Sequence, residues 1–411
     1  MNVSLWIARR LRLRGSGSST VGVVIAVSGV ALALVIMQLT IAVVLGFKDG
    51  IRSRLMGFDA QVTVEAPMNT YGSHFEATPS LDSLVHTVLP GAEVRHVLRQ
   101  PALLKTDNDF HGLVFIGQNG DSDFDFEKSN ITGGEWPAYG TDSCENMIVI
   151  SRSVAGALGL GVGDKITSTF FIDGNVKMRR HTIAALYESN FGEYDTNIAY
   201  ASLSALRKVA GLDSCGVGRL DIRGLPLDEI EPSATRLQDE LVNAMAKGTL
   251  HELYPVSTIF RTGALYFSWL DLLDTNVVVI FVLMLAVSAL TLVSSLFILI
   301  LERVSLIGVL RAMGASKPLV RRIFVDMAMR IVGSGMLIGN VLALALMYAQ
   351  RQWHVFPLDP AMYYLDTVPV CFSWSAIIGL NIGVAVAAWL ILVLPARLAS
   401  SLDPTKAISY E

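Results

Sequence analysis

The first apolar run of the sequence, residues 21–47, contains no charged side chain. About 20 consecutive apolar residues are enough for a helix to cross the hydrocarbon core of a bilayer. Three further runs, at 275–301, 323–349 and 374–396, are also predominantly apolar. The chain is 52% hydrophobic and 17% charged, which is too apolar for an ordinary soluble protein. The sequence therefore predicts a membrane protein with four transmembrane helices.

The charges outside these runs predict the orientation. Residues 1–20 carry four arginines and no acid, and residues 301–322 carry five basic residues and one acid. Short cationic loops stay on the cytoplasmic side, whereas long segments cross the membrane largely regardless of charge. The predicted order is a cytoplasmic segment 1–20, span 21–47, an outer domain 48–274, span 275–301, a cytoplasmic loop 302–322, span 323–349, a short outer loop 350–373, span 374–396 and a cytoplasmic tail 397–411.

The large outer domain has an α+β pattern. Alternating residues in "DAQVTVEA" (59–66) predict a strand, and "GLVFIG" and "NMIVIS" predict two more. Residues 166–186 predict a hairpin whose turn is Asp173-Gly174, because glycine accepts a positive φ there. Two later segments predict helices, and residues 257–274 predict a helical stalk that leads into the second span. The expected fold is therefore four transmembrane helices with a large α+β domain between the first and the second.

Several kinds of chemistry have no support in the sequence. Cys144 and Cys215 lie in the same outer block, where either a disulfide or two unpaired thiols would be consistent with the spacing. No CxxC motif, His/Cys cluster, catalytic triad spacing or P-loop motif is present. We therefore expect no metal site, no catalytic residues, no nucleotide hydrolysis by a P-loop and no nucleic-acid partner.

Residues 302–313 have the pattern of a short helix of their own. On a helical wheel one arc is apolar, and a narrower arc carries Ser305, Gly308 and Ala312. Gly314 suits a helix C-cap, and Ser316 suits the cap of the next helix, with Pro318 in its first turn. Two interpretations remain open, a helix lying on the lipid surface and a helix that docks on another protein. The apolar arc consists of Leu306, Val309, Leu310 and Met313.

Polar and small residues within the spans suggest close helix contacts. Gln38, Asn340 and Asn381 lie at membrane depth, where polar side chains tend to face protein or a cavity. Hydrogen bonds between helices are the favoured explanation over contact with substrate. Gly335-xxx-Gly339 and Gly379-xxx-Gly383 have the small-xxx-small spacing that allows helix backbones to approach closely.

Five sequence segments resemble one family. "LIGVLRAMGAS" resembles the "EIxxLRAxGA" signature that follows the second span of FtsX/MacB-type ABC permeases. The remaining four segments resemble the lipoprotein-releasing LolC/LolE branch of that family. These are "VVLGFKDGIRSRLMGFDAQVTV" (43–64), "SRSVAGALGLGVGDKI" (151–166), "FPLDPAMYYLDTVPV" (356–370) and "PARLASSLDPTKAISYE" (395–411).

The resemblance implies roles for particular residues. The inner helix would be the coupling helix that docks on a cytoplasmic ATPase, although Ser305 stands where family members often carry Glu. Residues from the first span and the stalk would line a lipid-binding cavity; ordinary packing is the competing explanation for them. The implied coupling residues are Leu306, Val309, Leu310, Arg311, Met313 and Gly314. The implied lipid or substrate contacts are Met37, Ile41, Val44, Phe267, Leu270 and Leu273.

The resemblance also implies a function. The chain would be a type VII (MacB-like) permease subunit in an inner membrane, with its large domain in the periplasm, releasing lipoproteins by motion transmitted from a separate ATPase. It would hold no cofactor itself, because ATP and Mg²⁺ would bind the ATPase. A second permease, identical or homologous, membrane lipids and a lipoprotein would be partners, and the short hairpin leaves a periplasmic lipoprotein carrier as an open question. Alternatives are an FtsX-like regulator of cell-wall hydrolases, a MacB-like exporter of peptides or drugs, a membrane enzyme and a membrane sensor.

Overall fold

The computed structural model describes residues 18–66, 74–106, 109–119, 125–172, 174–302, 308–309 and 311–400. The chain divides into two compact units. A helical unit comprises residues 1–50, 269–358 and 367–411, and an α+β unit comprises residues 51–268 and 359–366. Residues 359–366, which lie within the predicted outer loop 350–373, belong to the α+β unit.

Four long helices dominate the described part of the chain. Each contains a stretch that is long and apolar enough to cross a membrane. They extend beyond the predicted spans, because nothing in the adjoining sequence stops a helix where the apolar run ends. The helices are α1 (Ser18–Phe58), α2 (Pro79–Val88), α3 (Asp125–Ser129), α4 (Arg152–Leu158), α5 (Gly192–Asn197), α6 (Leu203–Ala210), α7 (Ile230–Ala246), α8 (Ile259–Thr262), α9 (Ala264–Glu302), α10 (Lys317–Trp353), α11 (Pro360–Tyr363) and α12 (Trp374–Ser400).

Helix α1 is the most enclosed of the four long helices, and α9 is the least. Glycines let α10 approach α1 closely: a Cβ added to Gly335 would lie 2.9 Å from the Val27 carbonyl oxygen, and one added to Gly339 would lie 2.9 Å from the Ala31 carbonyl oxygen. Gly379 and Gly383 on α12 have open space around them. Only the first of the two predicted small-xxx-small patterns is therefore a close helix contact within this chain.

One part of the α+β unit, built from strands at both ends of its sequence, is a split β-α-β arrangement. Its strands run in the order β12-β1-β11-β3, all antiparallel, and α2 and α7 contribute to the apolar core that covers them. The core includes Val62, Val64, Leu81, Val85, Leu220, Ile222, Leu237 and Leu241. The strands of the unit are β1 (Val62–Glu65), β2 (Phe75–Glu76), β3 (Glu93–Lys105), β4 (Phe110–Gln118), β5 (Ile131–Gly134), β6 (Met147–Ser151), β7 (Lys165–Ile172), β8 (Asn175–Tyr187), β9 (Ile198–Ser202), β10 (Gly216–Val217), β11 (Arg219–Arg223) and β12 (Val256–Thr258).

The other part of the unit, formed by residues 93–202, is a closed barrel. Strands β3, β4, β9, β6, β8 and β7 pair in that order, and β7 pairs back onto β3. Alternate residues of each strand point inwards, so one apolar core fills the ring. Strand β3 pairs with β11 of the first arrangement and with β4 and β7 of the barrel, so it belongs to both. The interior includes Leu98, Leu104, Phe115, Ile148, Phe170 and Ile183.

The hairpin predicted at 166–186 is present as β7 and β8, with Ile172 opposite Asn175. Gly174 has φ +75°, as the predicted turn requires, while Asp173 lies outside the described residues. Cys144 and Cys215 are both free thiols, so the disulfide alternative is wrong for this conformation. The stalk begins later than predicted: residues 256–258 form edge strand β12, because they pair with β1 before the long helix starts at Ala264.

His181 makes the barrel sensitive to acid. Its ring lies inside the barrel, 2% exposed, beside Phe115 and Phe170. Burial lowers the pKa of His181 to about 4, against 6.5 for a free side chain. The folded state therefore binds this proton less readily than the unfolded state. Its stabilising effect is complete above pH 6.5 and is lost as the pH falls towards 4.

We expect the barrel to lose about 2 kcal/mol of stability between pH 7.5 and pH 5 through His181 alone. Pulse proteolysis of the detergent-solubilised full chain in urea, scoring cleavage within residues 93–202, measures this loss. In His181→Phe, which keeps an aromatic ring beside Phe115, the pH-dependent loss should shrink by that amount. An equal loss in both proteins would mean that other groups cause the acid sensitivity.

Candidate functional site

The inner segment between α9 and α10 presents apolar side chains to its surroundings. Residues 308, 309, 311 and 312 are helical, and Gly314 ends the turn with φ +90°, as its predicted C-cap role requires. The Met313 amide donates to the Val309 carbonyl at 2.9 Å. Val309 is 50% exposed and Met313 is 79% exposed, whereas Gly308 is buried. Leu306 and Leu310 lie outside the described residues.

The start of α10 follows the sequence closely. Ser316 occupies the N-cap position and Pro318 lies in the first turn, although the Ser316 side chain makes no capping hydrogen bond. Arg311 is half-buried just before this junction. The inner segment thus leads into α10, which begins four residues after Met313.

The residues implied as lipid contacts differ in accessibility. Met37 is 3% exposed, in a cluster with Ala33, Leu34 and Val384, and Leu270 is 1% exposed. In this conformation the chain's own side chains cover both, so neither is available to an acyl chain. Ile41, Val44 and Leu273 are partly buried. Phe267 packs on the apolar core of the α+β unit.

Three amide side chains link α1, α10 and α12. The Gln38 amide nitrogen donates to the Asn340 oxygen at 2.6 Å, and the Asn340 nitrogen donates to the Asn381 oxygen at 2.8 Å. Gln38 is fully buried. Asn340 and Asn381 also donate to backbone carbonyls one turn earlier on their own helices. The favoured sequence interpretation, hydrogen bonding between helices, is therefore what the structure has, and it sets the register of three spans.

An ion pair links α1 to α9 within the helical unit. The buried Lys48 ammonium lies 2.7 Å from an Asp274 carboxylate oxygen and 4.0 Å from one of Asp271. Phe47 packs edge-on against Trp269, with ring centroids 5.6 Å apart. Both contacts come from consecutive residues of α1, so they hold one face of α1 against α9.

A charged cluster fixes the end of α1 to the sheet of the α+β unit. Arg219 lies 2.6 Å from a carboxylate oxygen of Asp59, and Arg99 lies 3.3 Å from the same oxygen. Burial by itself would raise the pKa of Asp59, but these two guanidinium groups hold it well below its usual range. Arg223 donates to the carbonyls of Gly57 and Phe58, the last residues of α1. The end of α1 is therefore bonded directly to β3 and β11.

A cavity of about 910 Å³ lies against the outside of the barrel in the α+β unit. Pro101, Val114 and Ile198 contribute apolar walls, and Asp59, Arg99 and Arg219 contribute charged groups. Such a lining suits a ligand that is partly apolar and partly polar. The sequence did not indicate this cavity, because its walls come from strands and helices that are far apart in the chain.

The tip of the barrel exposes an apolar surface, which we call the hairpin face. Phe171 pairs with Val176, and Met178 lies two residues along on the same face. The three side chains of the hairpin face, Phe171, Val176 and Met178, are 58%, 59% and 63% exposed. Exposed apolar groups that lie together often mark a surface that contacts another molecule.

Within the described residues, no group of three or more His, Cys, Asp or Glu side chains is arranged to hold a metal ion. The main features of the described residues are the exposed side chains of the inner segment, the hydrogen bonds that link α1, α10 and α12, and the hairpin face. Polar groups join the helices to one another and the end of α1 to the sheet.

The comparisons with known proteins agree with these features. Residues 278–404 match the model of the FtsX-like permease C-terminal family. Two extracytoplasmic domains share 14% identity with the chain at a TM-score of 0.34. The extracellular domain of the transporter YknZ covers 49% of this chain and 100% of its own length, and the periplasmic region of MacB from Actinobacillus actinomycetemcomitans covers 52% and 94%.

Full-length relatives are lipoprotein-releasing system transmembrane proteins LolC. The protein from Xylella fastidiosa strain 9a5c is 26% identical over 93% of this chain and 92% of its own length. The protein from Neisseria meningitidis serogroup B is 24% identical over the whole of both chains. The resemblance noted in the sequence motifs is thereby confirmed: the chain matches the FtsX-like permease C-terminal family over residues 278–404, has four helices long and apolar enough to cross a membrane, and resembles the LolC permeases along nearly its entire length.

Proposed function

We propose that this protein is a permease subunit of a type VII ABC transporter that releases lipoproteins from the inner membrane towards the outer membrane. The observation that carries the proposal is the similarity to LolC proteins along nearly the whole chain. The four apolar helices and the α+β unit between the first and second of them are consistent with it. The α+β unit then lies in the periplasm.

The energy for release comes from a separate cytoplasmic ATPase. ATP and Mg²⁺ bind that subunit, and this chain supplies the surface it moves. The exposed side chains of Val309 and Met313 support this role, since an amphipathic helix typically docks its apolar face into a groove. Movement of the inner segment passes to α10, and the cluster around Asp59 carries movement of α1 to the sheet.

A second permease, identical or homologous, completes the transporter. The exposure of helix α9 supports the presence of this partner, because the helix buries little of its surface within this chain. Its exposed apolar side chains face either lipid or a second permease. They include Leu272, Val278, Val282, Leu283, Val287 and Leu290.

A periplasmic carrier would receive the released lipoprotein. The exposure of the hairpin face supports such a partner, since its three large apolar side chains are more than half exposed. Such a carrier has to shield acyl chains from water, and its apolar rim would be complementary to this surface.

Depletion of the protein in its host tests the function. Membrane fractionation would then measure how outer-membrane lipoproteins divide between the two membranes. We expect them to accumulate in the inner membrane, and expression of the wild-type chain should restore their sorting. Normal sorting accompanied by a division defect would indicate the FtsX-like alternative, and normal sorting accompanied by drug sensitivity would indicate the MacB-like exporter.

A further inference from the structure

A short piece of the loop between α10 and α12 packs into the α+β unit. Residues 359–366 belong to that unit, although the chain on both sides of them belongs to the helical unit. Leu365 is buried, and the Tyr364 ring stacks on the Phe191 ring with centroids 4.6 Å apart and planes 17° apart. The Tyr266 ring meets Tyr364 edge-on at 6.0 Å. We call residues 359–366 the strap.

Polar contacts hold the end of the strap. One carboxylate oxygen of Asp366 accepts a hydrogen bond from Arg54 at 3.0 Å, and the other accepts one from Asn190 at 3.1 Å. Arg54 also donates to the Ser189 carbonyl at 2.9 Å. Both oxygens of the carboxylate are therefore used, and Arg54 joins α1, the strap and the loop before α5.

Two residues of this contact have a left-handed backbone conformation. Tyr364 and Asn190 have φ angles of +61° and +60°. A bulky residue such as tyrosine rarely adopts this left-handed conformation, which persists where surrounding contacts determine it. The ring of Tyr364 and the side chain of Asn190 are the groups that make the contacts described above, so the unusual backbone is associated with docking.

The residues that flank the strap on both sides, which we call its base, are hydrogen-bonded to each other and to α10. The Gln350 side chain, near the end of α10, donates to the Val368 carbonyl at 3.0 Å and accepts from the Phe356 amide at 3.0 Å. Pro357 and Thr367 form a bridge across the same base. The two chain segments that enter and leave the strap are thereby bonded to each other and to α10. A displacement of α10 would therefore move the base of the strap as one piece.

We propose that the strap is a mechanical connection through which α10 and α12 move the α+β unit. This inference rests on the proposed function, in which movement passes from the inner segment to α10. The docked strap touches residues of α1 (Arg54), of α9 (Tyr266) and of the loop before α5 (Phe191). It therefore brings chain from all four long helices to one joint, where movement of the third and fourth spans is combined with that of the first and second.

The test uses the full transporter, with its ATPase and second permease, reconstituted in lipid bilayers with a purified outer-membrane lipoprotein. The two readouts are the rate of ATP hydrolysis and the amount of lipoprotein released per ATP. In Tyr364→Ala, release per ATP should fall at least fivefold, while ATP hydrolysis stays within twofold of wild type. Tyr364→Phe, which keeps the stacked ring, should release normally. Tyr363→Ala is the matched control, because the neighbouring tyrosine is 44% exposed.

A charge exchange tests the polar contact separately. Asp366→Arg and Arg54→Asp should each lower release per ATP, and the two substitutions together should restore at least half of it. Unchanged release in Tyr364→Ala would overturn the proposal. So would an equal defect in Tyr363→Ala, or a parallel loss of ATP hydrolysis and release.

Failure of the proposed function gives a different pattern. If the wild-type transporter hydrolyses ATP but releases no lipoprotein, the lipoprotein-release function is wrong, and the strap is judged by hydrogen exchange. Nucleotide should then change the protection of residues 189–191 in the wild type and not in Tyr364→Ala. The same nucleotide response in both proteins would overturn the connection.

Discussion

Replacement of both Val309 and Met313 by Asp should separate this chain from its ATPase. We expect the amount of ATPase that copurifies with the chain to fall at least tenfold, a change that corresponds to about 1.4 kcal/mol. The reason is that a docking surface would desolvate the two new carboxylates without supplying partners. Affinity purification in mild detergent, with quantification of the ATPase, measures the effect.

The matched control replaces the same two residues by Leu, which keeps the surface apolar and should preserve copurification. Both variants should be present in the membrane in wild-type amount, because Val309 and Met313 are exposed and add little to the core. If the amount of copurified ATPase is unchanged in the Asp variant, the inner segment does not dock on the ATPase. The other interpretation of its sequence pattern, a helix lying on the lipid surface, would then hold. Leu310→Asp tests the apolar arc predicted from sequence in the same assay.

Replacement of Gly335 by Leu should force α10 away from α1. A Cβ there would lie 2.9 Å from the Val27 carbonyl oxygen and 2.9 Å from the Val30 Cβ. A backbone oxygen within a helix has little freedom to move aside, so the helices must separate. We expect a loss of about 3 kcal/mol in stability, at the upper end of the usual cost of overpacking. Thermal unfolding in detergent, measured as the melting temperature, detects the change.

The matched control is Gly379→Leu on α12. This glycine has the same sequence spacing to a second glycine, but no atom outside its neighbouring residues and its own helix backbone lies within 4 Å of the added Cβ. Its melting temperature should stay close to that of the wild type. Helix propensity favours Leu over Gly at both positions, so it cannot cause a loss of stability at either. Equal destabilisation by the two substitutions would contradict the expectation that Gly335, and not Gly379, lies in a close helix contact.

The spans and the hairpin could be predicted from sequence because their signals are local. An uncharged apolar run has one stable environment, and an alternating pattern around a Gly turn has one common solution. The hydrogen bonds among Gln38, Asn340 and Asn381 could also be expected, since polar groups at membrane depth need partners. These inferences depend on residue type and spacing, which the sequence displays directly.

The helix contacts themselves could not be predicted in this way. Gly335-xxx-Gly339 and Gly379-xxx-Gly383 are the same pattern, yet α1 covers one and leaves the other open within this chain. Met37 was implied as a lipid contact by the resemblance, but the rotation of α1 places it in a cluster with Ala33 and Leu34. Which face of a helix is covered depends on its neighbours. These helices carry apolar residues on all faces, so their sequences do not indicate which face is covered.

The sequence by itself therefore determined the class of protein, the four spans, the α+β character of the long insertion and the resemblance to a permease family. Only the tertiary structure decided that β7 closes a barrel onto β3 and that Tyr364 and Asp366 dock beside Phe191 and Arg54. The physical reason is distance along the chain. Hydropathy and turn preferences act over a few residues, whereas these contacts join segments more than 60 residues apart, and their formation depends on the packing of everything between them.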